Sequence, residues 1–190
     1  MTRIDTKTGD DGTTGLLFGG RVSKSDPRTR AFGAVDEAQA ALGLVRALGN
    51  LAPREDQLVT DLESELYVAM AELATAVVNR QKLHEGRTKV TIEMVAALEE
   101  QIGVYYDGFE MPTEFVIPGS GPAAALFDFA RTVVRRAERE AVALGDPETE
   151  VVRYLNRLSD LLWTLARWSE GESIRAKAHL QMKEQRSEGE

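Results

Sequence analysis

Between positions 6 and 15 the chain reads Thr6-Lys7-Thr8-Gly9-Asp10-Asp11-Gly12-Thr13-Thr14-Gly15, with Arg21 and Lys24 just downstream. Glycine lets a backbone pass through positive φ and come close to a ligand. Successive backbone N–H groups in such a turn form a concave anion site. Threonine hydroxyls, lysine and arginine add donors and positive charge, so the set suits phosphate. A flexible N-terminal arm has the same composition, and the loop alone does not choose between the two.

A second set lies far downstream. Arg131, Arg135 and Glu138 are spaced i, i+4 and i+7, which puts them on one helical face. Arg136 and Arg139 flank that face, beside an apolar stripe of Leu126, Phe127, Ala130, Val134, Ala137, Ala141 and Leu144. Guanidinium groups stay charged and offer a planar fork of donors that matches phosphate oxygens. Asn156, Asp160, Trp163 and Arg167 repeat the design, opposite Tyr154, Leu158, Leu161, Leu162 and Leu165. Each polar face also reads as the solvated side of a helix laced with ion pairs. Asp36-Glu37 read either as exposed acids or as partners for an arginine on another element or subunit.

Other chemistry finds little support. The chain has no cysteine, so disulfides and thiolate metal sites are impossible. Its two histidines, His84 and His179, follow Gln81 and Ala176 at the third position before them, so the Glu-x-x-His pattern of di-iron bundles is absent. No Ser–His or Cys–His nucleophile pair stands out.

These residues need a scaffold, and the rest of the chain predicts a helical one. At 190 residues it reads as one domain, residues 1–190, with a loop or short hairpin over 1–25, helices over 26–180 and a polar, disordered tail over 181–190. A first helix is expected from Asp26-Pro27 to Gly49-Asn50. A second runs from Pro53, with Leu58, Leu62, Leu66, Ala69, Leu73 and Val77 on its apolar face. After a polar link over 80–88, a third starts near Thr91, with Ile92, Val95, Leu98 and Ile102 on one side. Residues 107–122 break the pattern and carry the apolar Phe115-Val116-Ile117. A fourth helix is expected over 123–144 and a fifth from about 148 into the 170s. Five helices with short connections predict an all-α antiparallel bundle. The net charge of −8 argues against nucleic acid and anionic membrane surfaces as partners. Neither a signal-peptide pattern nor a long apolar run is present, so the sequence predicts a soluble cytoplasmic protein.

Three blocks together resemble the PduO-type ATP:cob(I)alamin adenosyltransferases. They are Thr6 to Thr14; Phe115-Val116-Ile117-Pro118-Gly119 leading to the helix Ala130-Arg131-Thr132-Val133-Val134-Arg135-Arg136-Ala137-Glu138-Arg139; and Tyr154-Leu155-Asn156-Arg157-Leu158-Ser159-Asp160. Arg21-Val22 with Lys24, and Phe32-Gly33-Ala34-Val35-Asp36-Glu37, also fit, and the likeness runs in order over about residues 3–170. It implies a ferritin-like five-helix bundle, a homotrimer, and active sites between adjacent subunits. Thr6, Lys7, Thr8, Gly9, Thr14, Gly15 and Lys24 would cradle ATP. Arg135, Arg136, Glu138, Arg139 and Asn156 would complete that pocket, with Mg²⁺ bridging phosphate oxygens and Glu138 assisting. Arg131, Arg135 and Asn156 would carry the catalytic roles. Asp36 would pair with Arg131 across the subunit boundary, and Phe115 would pack beneath the corrin of cobalamin.

The implied reaction moves the 5′-deoxyadenosyl group of ATP to the cobalt of cob(I)alamin and releases triphosphate. A reductase and an adenosylcobalamin-dependent enzyme are the implied partners. Two other readings are a cobalamin escort with little catalysis and a helical nucleotide-sensing module. One position departs from the resemblance: Phe127-Asp128 stands where many relatives carry Leu-His, placing an acid one turn before Arg131. Gln39, where Asn is common, is a milder change.

Overall fold

Asp26 starts the first helix as its spacing predicts. Its carboxylate accepts the Arg28 N–H at 2.8 Å, and Pro27 occupies the first turn of α1 (Pro27–Leu48). The computed structural model describes residues 5, 7–146, 148–171, 173–177, 180 and 185–186. Thr6, Pro147, His179 and most of the tail over 181–190 lie outside the described residues.

Before α1, β1 (Thr13–Gly15) and β2 (Arg21–Ser23) pair antiparallel with Thr14 opposite Val22, giving the short hairpin expected of the N-terminal region. The other α-helices among the described residues are α2 (Pro53–Leu73), α3 (Ile92–Tyr106), α4 (Pro122–Ala143) and α5 (Val151–Glu170). A 3-10 helix spans Val77–Lys82. Thr91 caps α3 by accepting the Met94 N–H. Among the described residues the protein is thus predominantly helical with a small two-stranded sheet.

Cross-helix bonds give the directions. Arg46 on α1 pairs with Asp56 and Glu63 on α2, at 3.0 Å each, so the chain doubles back. Arg136 and Arg30 pair α4 with α1 in reversed order, through Glu37 and Glu140. Glu138 with Asn156 and Asp128 with Arg167 set α5 antiparallel to α4. Glu99 with Arg157, and Tyr105 with Trp168, make α3 and α5 run the same way. The core between them is fully buried and includes Leu42, Val45, Leu66, Phe127, Val134, Leu158 and Leu165. No helix among the described residues is long and apolar enough to cross a membrane.

Three expectations need correcting. Val77 does not extend the face of α2; the helix ends at Leu73, and Val77 is 65% exposed. Arg28 donates to the Leu73 and Thr75 carbonyls, and the Leu17 N–H takes the Ala74 carbonyl, so the last-turn acceptors are engaged from outside the helix. Ile92, the first residue of α3, is half-exposed rather than core. Arg167 is not on a wet face: only 2% of it is exposed.

Candidate functional site

The N-terminal loop is closed on itself. Gly12 N–H bonds to the Gly9 carbonyl at 3.2 Å, and Lys24 N–H to the Gly12 carbonyl at 2.9 Å. Gly12 sits at φ 81°, where side chains are disfavoured. A Cβ at Gly9 would lie 3.2 Å from Lys24 Nζ, so the bare glycine lets that ammonium lie against the turn. Arg21 braces the turn, donating to the Thr8 carbonyl at 2.6 Å and to Thr13 Oγ1. Thr13 in turn donates its hydroxyl and its N–H to Asp11, which holds that exposed carboxyl below its ordinary range. Thr14 and Gly15 thus lie in β1, Thr8 and Gly9 in the turn before it, and Lys24 just after β2 against that turn, with Lys7 at its entry in positive φ. The hairpin is docked on the C-terminal turn of α2 by Leu17.

The arginine face lies along α4. Arg135 is exposed, Arg139 donates to the Arg135 carbonyl at 3.0 Å, and Arg136 pairs with Glu37 of α1. Glu138 accepts from Asn156 Nδ2 at 3.0 Å, joining two predicted site residues from different helices. Arg157 holds the other end of that amide, donating to Asn156 Oδ1 at 2.7 Å while bonded to Glu99 at 2.8 Å. The Glu99 bond pushes the Arg157 guanidinium further toward its charged form. Asn156 is thus oriented from both sides by side chains of α4 and α5.

A third region lies at the other end of α4. A cleft of about 400 Å³ is lined by Phe115, Asp128, Arg131, Trp163 and Arg167, with the Pro112–Glu114 segment along its edge. Phe115 is 90% exposed, so it is not the core phenylalanine that an apolar strand-like segment would suggest. Its backbone is nevertheless fixed: Ala176 N–H bonds to the Phe115 carbonyl, and Ile117 N–H to the Ile174 carbonyl, both at 2.9 Å. The backbone is therefore held while the ring stands in solvent at the edge of the cleft.

Asp128 forms the floor of this cleft. Its Oδ1 accepts from Arg131 Nε at 3.3 Å and its Oδ2 from Arg167 Nη2 at 2.5 Å. Arg167 also lies with its guanidinium 5.7 Å from the centre of the Trp163 ring. The sequence placed Trp163 and Arg167 on one side of α5 without giving them a site. Their spacing from Asn156, i+7 and i+11, is the pattern that marked them. Asp36 is exposed and forms no ion pair with Arg131 within the chain.

Asp128 and Arg139 are separated by about 16 Å of helix axis at 1.5 Å per residue. Along one chain, then, the cleft and the distal arginines mark two ends of an elongated polar strip. Glu138 offers one carboxylate with an oxygen already taken by Asn156, and no group of three His, Asp or Glu among the described residues can cage a metal. That donor set fits a cation delivered on phosphate oxygens, which is how Mg²⁺ usually arrives.

The sequence profile described as cobalamin adenosyltransferase matches residues 4–169. A corrinoid adenosyltransferase from Mycobacterium tuberculosis is 42% identical over 172 residues, covering 88% of both chains. The PduO corrinoid adenosyltransferase of Citrobacter freundii is 43% identical over 171 residues, covering 86% of this chain and 49% of that protein. Among solved structures, a phenylalanine-to-alanine variant of the PduO-type ATP:corrinoid adenosyltransferase from Lactobacillus reuteri, complexed with cobalamin and ATP, superposes with a TM-score of 0.82. It is 26% identical and covers 92% of this chain and 99% of its own.

Proposed function

The chain belongs to the cobalamin adenosyltransferase family, and we propose that it transfers the 5′-deoxyadenosyl group of ATP to the cobalt of cob(I)alamin, releasing inorganic triphosphate. The observation that carries the assignment of the site is the solvent-exposed Phe115, on a backbone held by hydrogen bonds, lining one cleft with Arg131. That cleft takes the corrin, with the phenyl ring beneath it in place of a lower axial ligand. The cradle of Lys7, Thr8, Gly9, Thr14, Gly15 and Lys24, with Thr6 at its start, takes ATP. Arg135, Arg136, Glu138, Arg139 and Asn156 complete the nucleotide pocket.

The chemistry asks little of side-chain acids or bases. Cobalt(I) brings its own electron pair, forms the Co–C5′ bond, and the C5′–O bond breaks with its pair leaving on triphosphate. The protein's work is alignment and neutralisation of the departing charge. Arg135 and Lys24 place fixed positive charge against the triphosphate, and backbone N–H groups of the loop add donors. Asn156, held from both sides, fixes the pocket wall. Mg²⁺, bound mainly through the ATP phosphates with Glu138 assisting, would supply further charge neutralisation there.

The loop and the corrin cleft lie toward opposite ends of the molecule, which supports sites shared between copies. The five helices form an antiparallel, ferritin-like bundle within a single domain. That domain assembles as a homotrimer, with Asp36 of one copy meeting Arg131 of the next. The protein works in the cytoplasm with a reductase upstream and an adenosylcobalamin-dependent enzyme downstream. The test is the corrinoid absorbance spectrum under reducing conditions with and without ATP. Conversion to the adenosylcobalamin spectrum only with ATP is expected. Cobalamin binding without conversion would make the protein an escort instead.

A further inference from the structure

Resting on that assignment of the cleft, we infer that Asp128 is a positioning residue, which fixes Arg131 in the wall of the cobalamin cleft. Asp128 is 5% exposed and its two oxygens serve two different arginines, one on its own helix and one on α5. The two bonds differ in purpose. Arg167 is 2% exposed, and a buried guanidinium needs a counter-charge. Glu170 already supplies one, with its carboxylate 2.9 Å from Arg167 Nε and its side chain fully buried. Asp128 is therefore a second carboxylate on an arginine that has a partner.

Arg131 differs from Arg167: its side chain is 28% exposed, and solvent alone would satisfy it. What Asp128 adds is orientation. By accepting from Nε it restrains the guanidinium from one edge and leaves both Nη groups for other partners, on a residue that lines the cleft. Arg167, wedged between Asp128, Glu170 and the Trp163 ring, keeps the carboxylate itself from turning. A side chain held by a braced partner is pre-organised, and loss of such bracing misplaces reacting groups at large cost in rate.

The test compares Asp128→Asn and Asp128→Glu with the unaltered protein. Three readouts are used: melting temperature, steady-state kinetics with cobalamin and ATP varied separately, and cob(II)alamin binding followed by absorbance with ATP present. Asp128→Asn should fold and lose on the order of tenfold or more in kcat/KM for cobalamin, with KM for ATP little changed. Asp128→Glu keeps the charge but moves it by one methylene, so it should fold and lose activity to a smaller extent. Both variants should also bind cobalamin more weakly.

Unchanged kcat/KM for cobalamin in a folded Asp128→Asn protein would overturn the inference. So would an Asp128→Glu protein with full activity beside an Asp128→Asn protein that does not fold, because Asp128 would then be a counter-charge only. If the unaltered protein binds cobalamin but forms no adenosylcobalamin, the enzymatic reading fails. The binding constants of the variants then decide the role of Asp128 by themselves.

Discussion

Replacing Phe115 with alanine separates folding from function, because the side chain has almost no role in the first. It is 90% exposed, and the bonds that fix its segment run through the backbone of Phe115 and Ile117. The exchange should therefore cost less than about 0.5 kcal/mol of stability. In a chain of this size that is a shift of about 2 °C or less in melting temperature. The cost in the complex is larger. Covering a phenylalanine side chain completely is worth about 1.5–3 kcal/mol, or roughly a ten- to hundredfold change in an equilibrium constant. In the proposed site the apolar ring would exclude a lower ligand from cobalt and ease reduction of cob(II)alamin, so the loss should fall unevenly. Rates measured anaerobically by corrinoid absorbance should drop more when the reaction starts from cob(II)alamin with a reductant than from pre-reduced cob(I)alamin. Equal slowing from both starting states would refute the role beneath the corrin. A melting temperature lowered by many degrees would refute the exposed placement on which it rests.

Three further outcomes can be checked. Arg135→Ala should lose most of its turnover while far-UV circular dichroism and melting stay unchanged, because the exposed guanidinium pairs with no side chain among the described residues; full turnover would remove it from the site. Burial raises the Glu65 carboxyl above its ordinary value of 4.5 despite the hydrogen bond from the Tyr154 hydroxyl at 2.8 Å. A raised carboxyl stabilises the fold fully below its unfolded value and loses that contribution as pH rises through the folded one. Melting temperature should therefore fall less between pH 4.5 and pH 7 in Glu65→Gln than in the unaltered protein, and parallel profiles would contradict this. Chelation of Mg²⁺ should abolish turnover without changing the melting temperature of the ligand-free protein. A lower melting temperature would instead reveal a resident metal, which no acidic cluster among the described residues accounts for.

Local rules explain why so much of the scaffold was readable. Asp26 and Thr91 are caps whose side chains accept N–H groups two or three residues away, so sequence neighbours contain the whole interaction. Helix periodicity likewise put Arg131, Arg135 and Glu138 on one side of α4. The failures are long-range. The run that included Val77 keeps its spacing past Leu73, but the helix stops where Arg28 and Leu17 take its terminal carbonyls. Arg167 shares a face with Asn156 and Asp160, yet it is buried because Asp128, 39 residues earlier, meets it from the neighbouring helix. Phe115 lies in an apolar stretch that resembles a core strand. Only the pairing with Ile174 and Ala176 shows that its backbone is fixed while its ring faces out.

If the loop and the arginines hold ATP by a triphosphate that departs whole, with cobalt as the attacking atom, the phosphate product must be intact triphosphate. The most direct measurement is the identity of the phosphate product formed from ATP, Mg²⁺ and chemically reduced cob(I)alamin, quantified against adenosylcobalamin. Inorganic triphosphate in one-to-one ratio with adenosylcobalamin is the predicted result. ADP with phosphate, or pyrophosphate as the primary product, would contradict it.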